Sequence, residues 1–185
     1  MGEQSDKDMI LLWTGYVLLF LSAFVMYSKL LLLPGAAVLI GGYVARGTFR
    51  RQGKPLSSAH ASWQINTVWL ALLIFVAATI AVIAICAWMV SDPAVEARLD
   101  AIVSSNMTPV EMLDDLIDVP GVTYLATAVI TFALLFSIWP LKRVLHGMIA
   151  LKAGLEPAQL GTGRWIALVL AIAIQAIPLL VMSML

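Results

Sequence analysis

The chain has 185 residues, of which 62% are hydrophobic and only 12% charged, and its mean hydropathy is +0.97. Soluble domains carry roughly 25% charged residues, so this much apolar surface cannot close into one water-facing core and must meet lipid. Eleven basic and eleven acidic residues cancel, which gives net charge no bearing on partners, and the one cysteine, Cys86, excludes an intrachain disulfide and a multi-cysteine metal site. The composition therefore predicts an all-α fold, a polytopic membrane helical bundle forming a single membrane domain over 1–185.

In chain order, residues 1–9 (MGEQSDKDM) set one lysine against three acids. They lack the basic region of a signal peptide, so the first apolar run is expected to be a retained helix. Met9 to Gly47 is apolar apart from Lys29 and Arg46. It is too long for one crossing of a hydrocarbon core of about 30 Å. Tyr27-Ser28-Lys29, with Pro34-Gly35 soon after, divides it into a helical hairpin with spans of about 9–27 and 31–46. The second is short, about 24 Å at 1.5 Å per residue. A single crossing of 9–46 is the alternative. Gly15, Gly35, Gly41 and Gly42 predict close approach of these two helices.

The densest positive run follows: Arg46, Arg50, Arg51 and Lys54 within a basic segment, 46–60. Pro55 and Ser57-Ser58 then open a helix running to about residue 90, its span near 62–90. Its first turns stand at the headgroup layer, where Trp63 and Trp69 suit the interface, and Ala77, Ala81 and Ala84 offer a small-residue face. Residues 91–121 form an acidic loop with seven acids against Arg98 alone. Asp92-Pro93 and the capping-box sequence Thr108-Pro109-Val110-Glu111 predict two short amphipathic helices there, about 93–104 and 109–118. A span at 122–140 carries Thr123, Thr127 and Thr131 on one face. Pro140 is expected to kink or restart the helix into an amphipathic stretch lying along the inner membrane surface. That stretch belongs to a second basic segment, 141–164, and the last span is 165–184. About five transmembrane helices, one of them short, result.

Lysine and arginine set the orientation. The 46–60 and 141–164 segments hold four each and the 91–120 loop holds one. The expected topology has the basic segments and the N-terminus cytoplasmic and the acidic loop extracytoplasmic, in a bacterial inner membrane.

Four residues form the leading polar cluster. His60 and Gln64 lie one turn apart at the start of the third helix, with Arg143 and His146 on the same side of the membrane. The cluster could bind a headgroup, ion or proton at His60, or it could simply hydrogen-bond helix ends together, and contact between the two segments is expected. One imidazole and one amide make no catalytic set without a third group, and a two-histidine metal site has no spacing to support it, so no catalytic, cofactor or metal residue is assigned. Arg50, Arg51 and Lys54 are candidate lipid-headgroup contacts, or fix topology alone. Glu111, Asp114, Asp115 and Asp118 fall at i, i+3, i+4 and i+7 and form a candidate partner-docking acidic face. The spacing lacks the glycine and alternating oxygen ligands of a calcium loop. No span carries an acid or base at its middle, as ion-coupled transport and proton relays need.

At Gly41-Gly42-Tyr43-Val44-Ala45-Arg46, and again at His60-Ala61-Ser62-Trp63-Gln64-Ile65-Asn66-Thr67-Val68-Trp69, the chain resembles a group of small bacterial membrane proteins. That group is similar to the chloroplast inner-envelope translocon (Tic) channel-like subunit. Its pattern of helical hairpin, basic turn, His-x-x-x-Gln helix start and outer loop continues at Trp139-Pro140-Leu141-Lys142-Arg143 and Gly147, so the resemblance covers roughly 9–155. The long acidic loop and the extra final span depart from it. The resemblance implies a membrane bundle and, through the plant proteins, a role in protein translocation.

The expected function is a non-enzymatic accessory or assembly subunit of a membrane complex. Its partners would be the lipid bilayer and other membrane subunits or a second copy of the chain, with no nucleic acid. The alternative is a channel or transporter subunit whose path the threonine face would line.

Overall fold

A computed structural model of the chain describes residues 6–24, 30, 32–105, 107–119 and 121–183, with 109, 110 and 178–183 described by backbone alone. The Tyr27-Ser28-Lys29 break lies outside the described residues. All regular structure among those described is helical: α1 (Asp6–Ser22), α2 (Leu32–Arg51), α3 (Pro55–Ser91), α4 (Pro93–Ser104), α5 (Pro109–Ile117), α6 (Val122–Lys152), a 3-10 turn (Pro157–Gln159) and α7 (Gly163–Ser183). Three of these, α2, α3 and α6, are long and apolar enough to cross a membrane, and the apolar stretch of α7, Gly163–Ile177, is shorter. The fold forms two compact units, one of Met1–Leu72 with Leu135–Leu185 and one of Leu73–Leu134.

The basic segment is not a loop. α2 runs on past Arg46 to Arg51, giving 20 residues and about 30 Å, enough for a hydrocarbon core. Arg50 and Arg51 thus sit in its last turn, where positive charge meets the negative end of the helix dipole. The helix stops because Gly53 adopts φ 65°. The Gly53 amide donates to the Arg50 carbonyl at 3.2 Å and the Lys54 amide to the Phe49 carbonyl at 3.0 Å, which is the Schellman closure. Pro55 then starts α3, and no glycine or proline interrupts its remaining residues up to Ser91. At 37 residues it is about 55 Å long, and Asp92-Pro93 ends it by capping α4.

α6 does not restart at Pro140. The helix continues through it from Val122 to Lys152, with Pro140 buried and Leu141 beside it 0% exposed. The stretch after Pro140 also does not lie along a surface: Leu141, Val144, His146, Gly147, Ala150 and Leu151 are all buried. Small residues explain the difference, because Gly147 lets the Tyr16 ring of α1 lie directly on the α6 backbone.

In the first unit the core joins Leu12, Tyr16 and Leu19 of α1, Val38, Ala45 and Phe49 of α2, Ala61 of α3 and Val144 and Leu151 of α6. A second cluster buries Ala23, Leu141 of α6 and Ala171 of α7. The hairpin glycines divide differently from the expectation. Gly35 faces the Ser22 side chain of α1, whereas Gly15 leaves room for the Gln64 side chain and Gly42 for Ile65, both from α3. Gly41 has open space around it. In the second unit α4 and α5 occupy 93–104 and 109–117. Val95 and Ile102 of α4 bury with Met89 and Val119, and Met112 and Leu125 pack at the edge.

Candidate functional site

The polar residues of the first unit converge where α1, α3 and α6 meet the segment after α6. That segment is shaped by a second glycine closure. Gly154 takes φ 67°, and the Leu155 amide donates to the Ala150 carbonyl at 3.0 Å. The turn sends the Leu155 carbonyl back toward α3, where His60 Nε2 donates to it at 2.9 Å. A carbonyl only accepts, so Nε2 carries the proton. The neutral ring then offers Nδ1 as an acceptor, and the Tyr16 hydroxyl donates to it at 2.8 Å. Both side chains are 0% exposed, with the rings edge to face at 87°. His60 therefore ties three parts of the chain: α1, α3 and the turn that follows α6.

Gln64, one turn along α3, repeats the device. Its Nε2 donates to the Leu12 carbonyl of α1 at 2.8 Å, and Gly15 leaves room for the amide. Trp63 joins α3 to α6 by donating from Nε1 to the Arg143 carbonyl at 3.1 Å. Arg143 answers in two ways. Its guanidinium carbon stands 3.9 Å from the centre of the Trp63 ring, and its Nε donates to Thr67 Oγ1 at 3.2 Å, whose own hydroxyl donates to the Trp63 carbonyl at 2.8 Å. The His146 ring stacks on Trp63 at 5.2 Å and 20°. His146 Nε2 donates to the Pro157 carbonyl at 2.6 Å. The two histidines thus hold carbonyls two residues apart, Leu155 and Pro157, from two different helices.

The four residues singled out in the sequence, His60, Gln64, Arg143 and His146, lie in this one unit. The contact between the 60–67 turn and the 143–146 turn runs mainly through Trp63, which the sequence suggested only as an interface anchor. Tyr16 and Gly147 carry no motif. The one available signal for Tyr16 was a hydroxyl between Leu12 and Leu19 on one helix face, where a buried phenol requires a partner.

The candidate headgroup contacts separate. Lys54 Nζ lies 2.6 Å from Asp8 Oδ2 of α1, with side chains 31% and 11% exposed, so its charge is matched within the chain. Arg50 and Arg51 are exposed and carry no ion pair among the described residues. On the acidic face, Glu111 is bound into the capping box of α5. It accepts from the Thr108 amide at 2.9 Å and from the Thr108 hydroxyl at 2.8 Å, and these bonds hold its carboxyl below the usual carboxylate range. Asp118 is the C-cap of the same helix, while Asp114 is exposed and Asp115 half-buried. The hydrophobic side is split. Met112 packs inward, whereas Leu113 and Ile117 are 57% and 53% exposed. On the threonine face, the Thr123 hydroxyl donates to the Ile117 carbonyl at 3.3 Å, and Thr127 and Thr131 are exposed.

As a chemical arrangement the cluster is a clamp. His60, Gln64, Trp63, Arg143 and His146 each bond a carbonyl or hydroxyl of another helix or turn, which fixes these side chains in place. No protein family, curated protein or solved structure matches the chain.

Proposed function

We propose that the chain is an integral protein of the bacterial cytoplasmic membrane, a non-enzymatic accessory or assembly subunit of a membrane complex. In this reading five helices cross, near 9–27, 31–46, 62–90, 122–140 and 165–184. The basic segments face the cytoplasm and the 91–121 loop faces out. One observation carries the proposal: in the most apolar eighteen-residue stretches of α3 and of α6, no residue is buried within the chain. Surfaces so apolar are covered in the working protein, and a membrane covers them with lipid or with the helices of a partner. The clamp supports a scaffolding role, since the bonds of His60, Gln64, Arg143 and His146 hold the chain to itself.

A channel reading, in the manner of the translocon-like proteins that the chain resembles, draws on the exposed Thr127 and Thr131. Lying on the outside of the chain's own fold, they would line a path only with a second chain closing it. Crosslinking from the 91–121 loop in native membranes, followed by purification in mild detergent, is expected to recover a defined partner or a homo-oligomer. A lone monomer under every condition would sink the subunit reading. Solute or peptide flux in proteoliposomes that falls in the Thr127→Leu/Thr131→Leu double variant would favour the channel instead.

A further inference from the structure

α5 presents two different edges to its surroundings. Met112 packs inward on Met89, Val95, Ile102 and Val119, which fixes the rotation of the helix about its own axis. Leu113 and Ile117, one turn apart, are left exposed along one edge. Glu111, Asp114 and Asp118 are exposed along another, about a third of the way round the helix. Water suits the acidic edge. The apolar edge has no cover among the described residues.

Two contacts inside the same unit set the level at which α5 lies. The Thr123 hydroxyl, in the first turn of α6, donates to the Ile117 carbonyl at 3.3 Å, so the end of α5 stands beside the beginning of α6. One residue on, Tyr124 meets Trp88 of α3 edge to face, with ring centres 6.5 Å apart, and both rings are exposed. Tyrosine and tryptophan rings in such positions, at the ends of apolar helices, mark the headgroup layer of a bilayer. The helices that carry these two rings are also the ones whose most apolar stretches bury no residue within the chain. Leu113 and Ile117 therefore border that apolar surface. A basic soluble partner would match the carboxylates and leave both side chains bare, whereas hydrocarbon matches them at the depth where they lie.

We infer that α5 is an interfacial helix seated on the leaflet next to the 91–121 loop, so that lipid acyl chains are what covers Leu113 and Ile117 while the carboxylates face water. Helices of this kind sink their apolar side about 5–10 Å into the boundary between headgroups and acyl chains. The inference rests on the membrane reading above. Its test uses the full-length protein carrying Cys86→Ser and a single nitroxide on Leu113→Cys, Ile117→Cys, Asp114→Cys or Ile80→Cys. All the replaced side chains are exposed, so the labels displace no packing. Each protein is reconstituted into vesicles of phosphatidylethanolamine and phosphatidylglycerol. Relaxation of the label by oxygen, which concentrates in hydrocarbon, is then compared with relaxation by a water-soluble nickel chelate. Labels at positions 113 and 117 should favour oxygen over nickel several-fold more than the label at position 114. Nickel access at 113 and 117 equal to that at 114 would put the edge in water and overturn the seat. So would low access to both agents, the sign of a protein contact such as a second copy of the chain. The label at position 80, in the middle of α3, separates the two proposals. A preference for nickel there removes the membrane reading itself, whereas oxygen there with nickel at 113 and 117 removes only the interfacial seat.

Discussion

The two units of the chain are held together by different means. In the first, side-chain hydrogen bonds join residues far apart in sequence: Tyr16 to His60, Gln64 to Leu12, Trp63 to Arg143 and His60 to Leu155. In the second, the polar contacts that shape the helices are local. Asp92 caps α4 and Thr108 with Glu111 caps α5, while the core between them is apolar, formed by Met89, Val95, Ile102 and Val119. Long-range polar contacts have directional geometry and leave a costly unmatched atom when one partner is lost. Apolar contacts and caps each contribute less and fail more gradually. The first unit should therefore respond sharply to single polar substitutions, and the second weakly.

The largest expected effect is at His60. His60→Ala removes a fully buried ring and strands both the Tyr16 hydroxyl and the Leu155 carbonyl, which should destabilise the first unit by about 3 kcal/mol. Unfolding in mild detergent with graded denaturing detergent would measure it. A loss under about 1 kcal/mol would show that the clamp is not cooperative. Next comes Gly147→Ala. The added methyl overlaps the Tyr16 ring, and overpacking of this kind costs about 1–3 kcal/mol, while Gly41→Ala, with open space around it, should cost almost nothing in the same assay.

Tyr16→Phe is a finer probe. It removes one interhelical hydrogen bond and keeps the ring, so about 1 kcal/mol is expected. A loss as large as that of His60→Ala would mean that the phenol, and not the imidazole, organises the junction.

The smallest effect belongs to the second unit and depends on pH. The carboxyl of Glu111 titrates below its unfolded value because Thr108 hydrogen-bonds its charged form. A depressed carboxylate contributes stability that is present above the unfolded pKa and is lost as pH falls through the folded pKa. Hydrogen-exchange protection of the α5 amides, corrected for intrinsic rates, should therefore fall in acid. Glu111→Gln should flatten that dependence. Protection in the first unit should stay unchanged over the same range, and loss there before α5 would reverse the ranking of the two units.

Much of this was legible in residue order. The caps at Asp92 and Thr108 marked α4 and α5 to within a residue, because N-caps act through atoms two or three residues away. The all-helical fold followed from the length and apolarity of the runs. Other features were not legible, for physical reasons that differ from case to case. The basic segment looked like a loop because charges punctuate it, yet helix propensity of arginine is high and only Gly53 has the backbone freedom to end α2. Pro140 looked like a break because proline removes a backbone donor. α6 nevertheless continues through it, with Leu141, Val144 and Gly147 buried just beyond.

The clamp marks the same boundary. Its donors were visible as polar residues with helical spacing, since spacing places His60 and Gln64 on one face whatever surrounds them. Their acceptors are backbone carbonyls of Leu12, Leu155 and Pro157, which every residue possesses and no sequence distinguishes. The sequence by itself determined the helical class, the distribution of charge and the local caps, because those depend on composition and on neighbours a few residues apart. Only the tertiary structure decided that Tyr16 meets His60, that Lys54 belongs to Asp8 and that the two histidines share one turn, because those pairings depend on how closely glycine-bearing helices can pack.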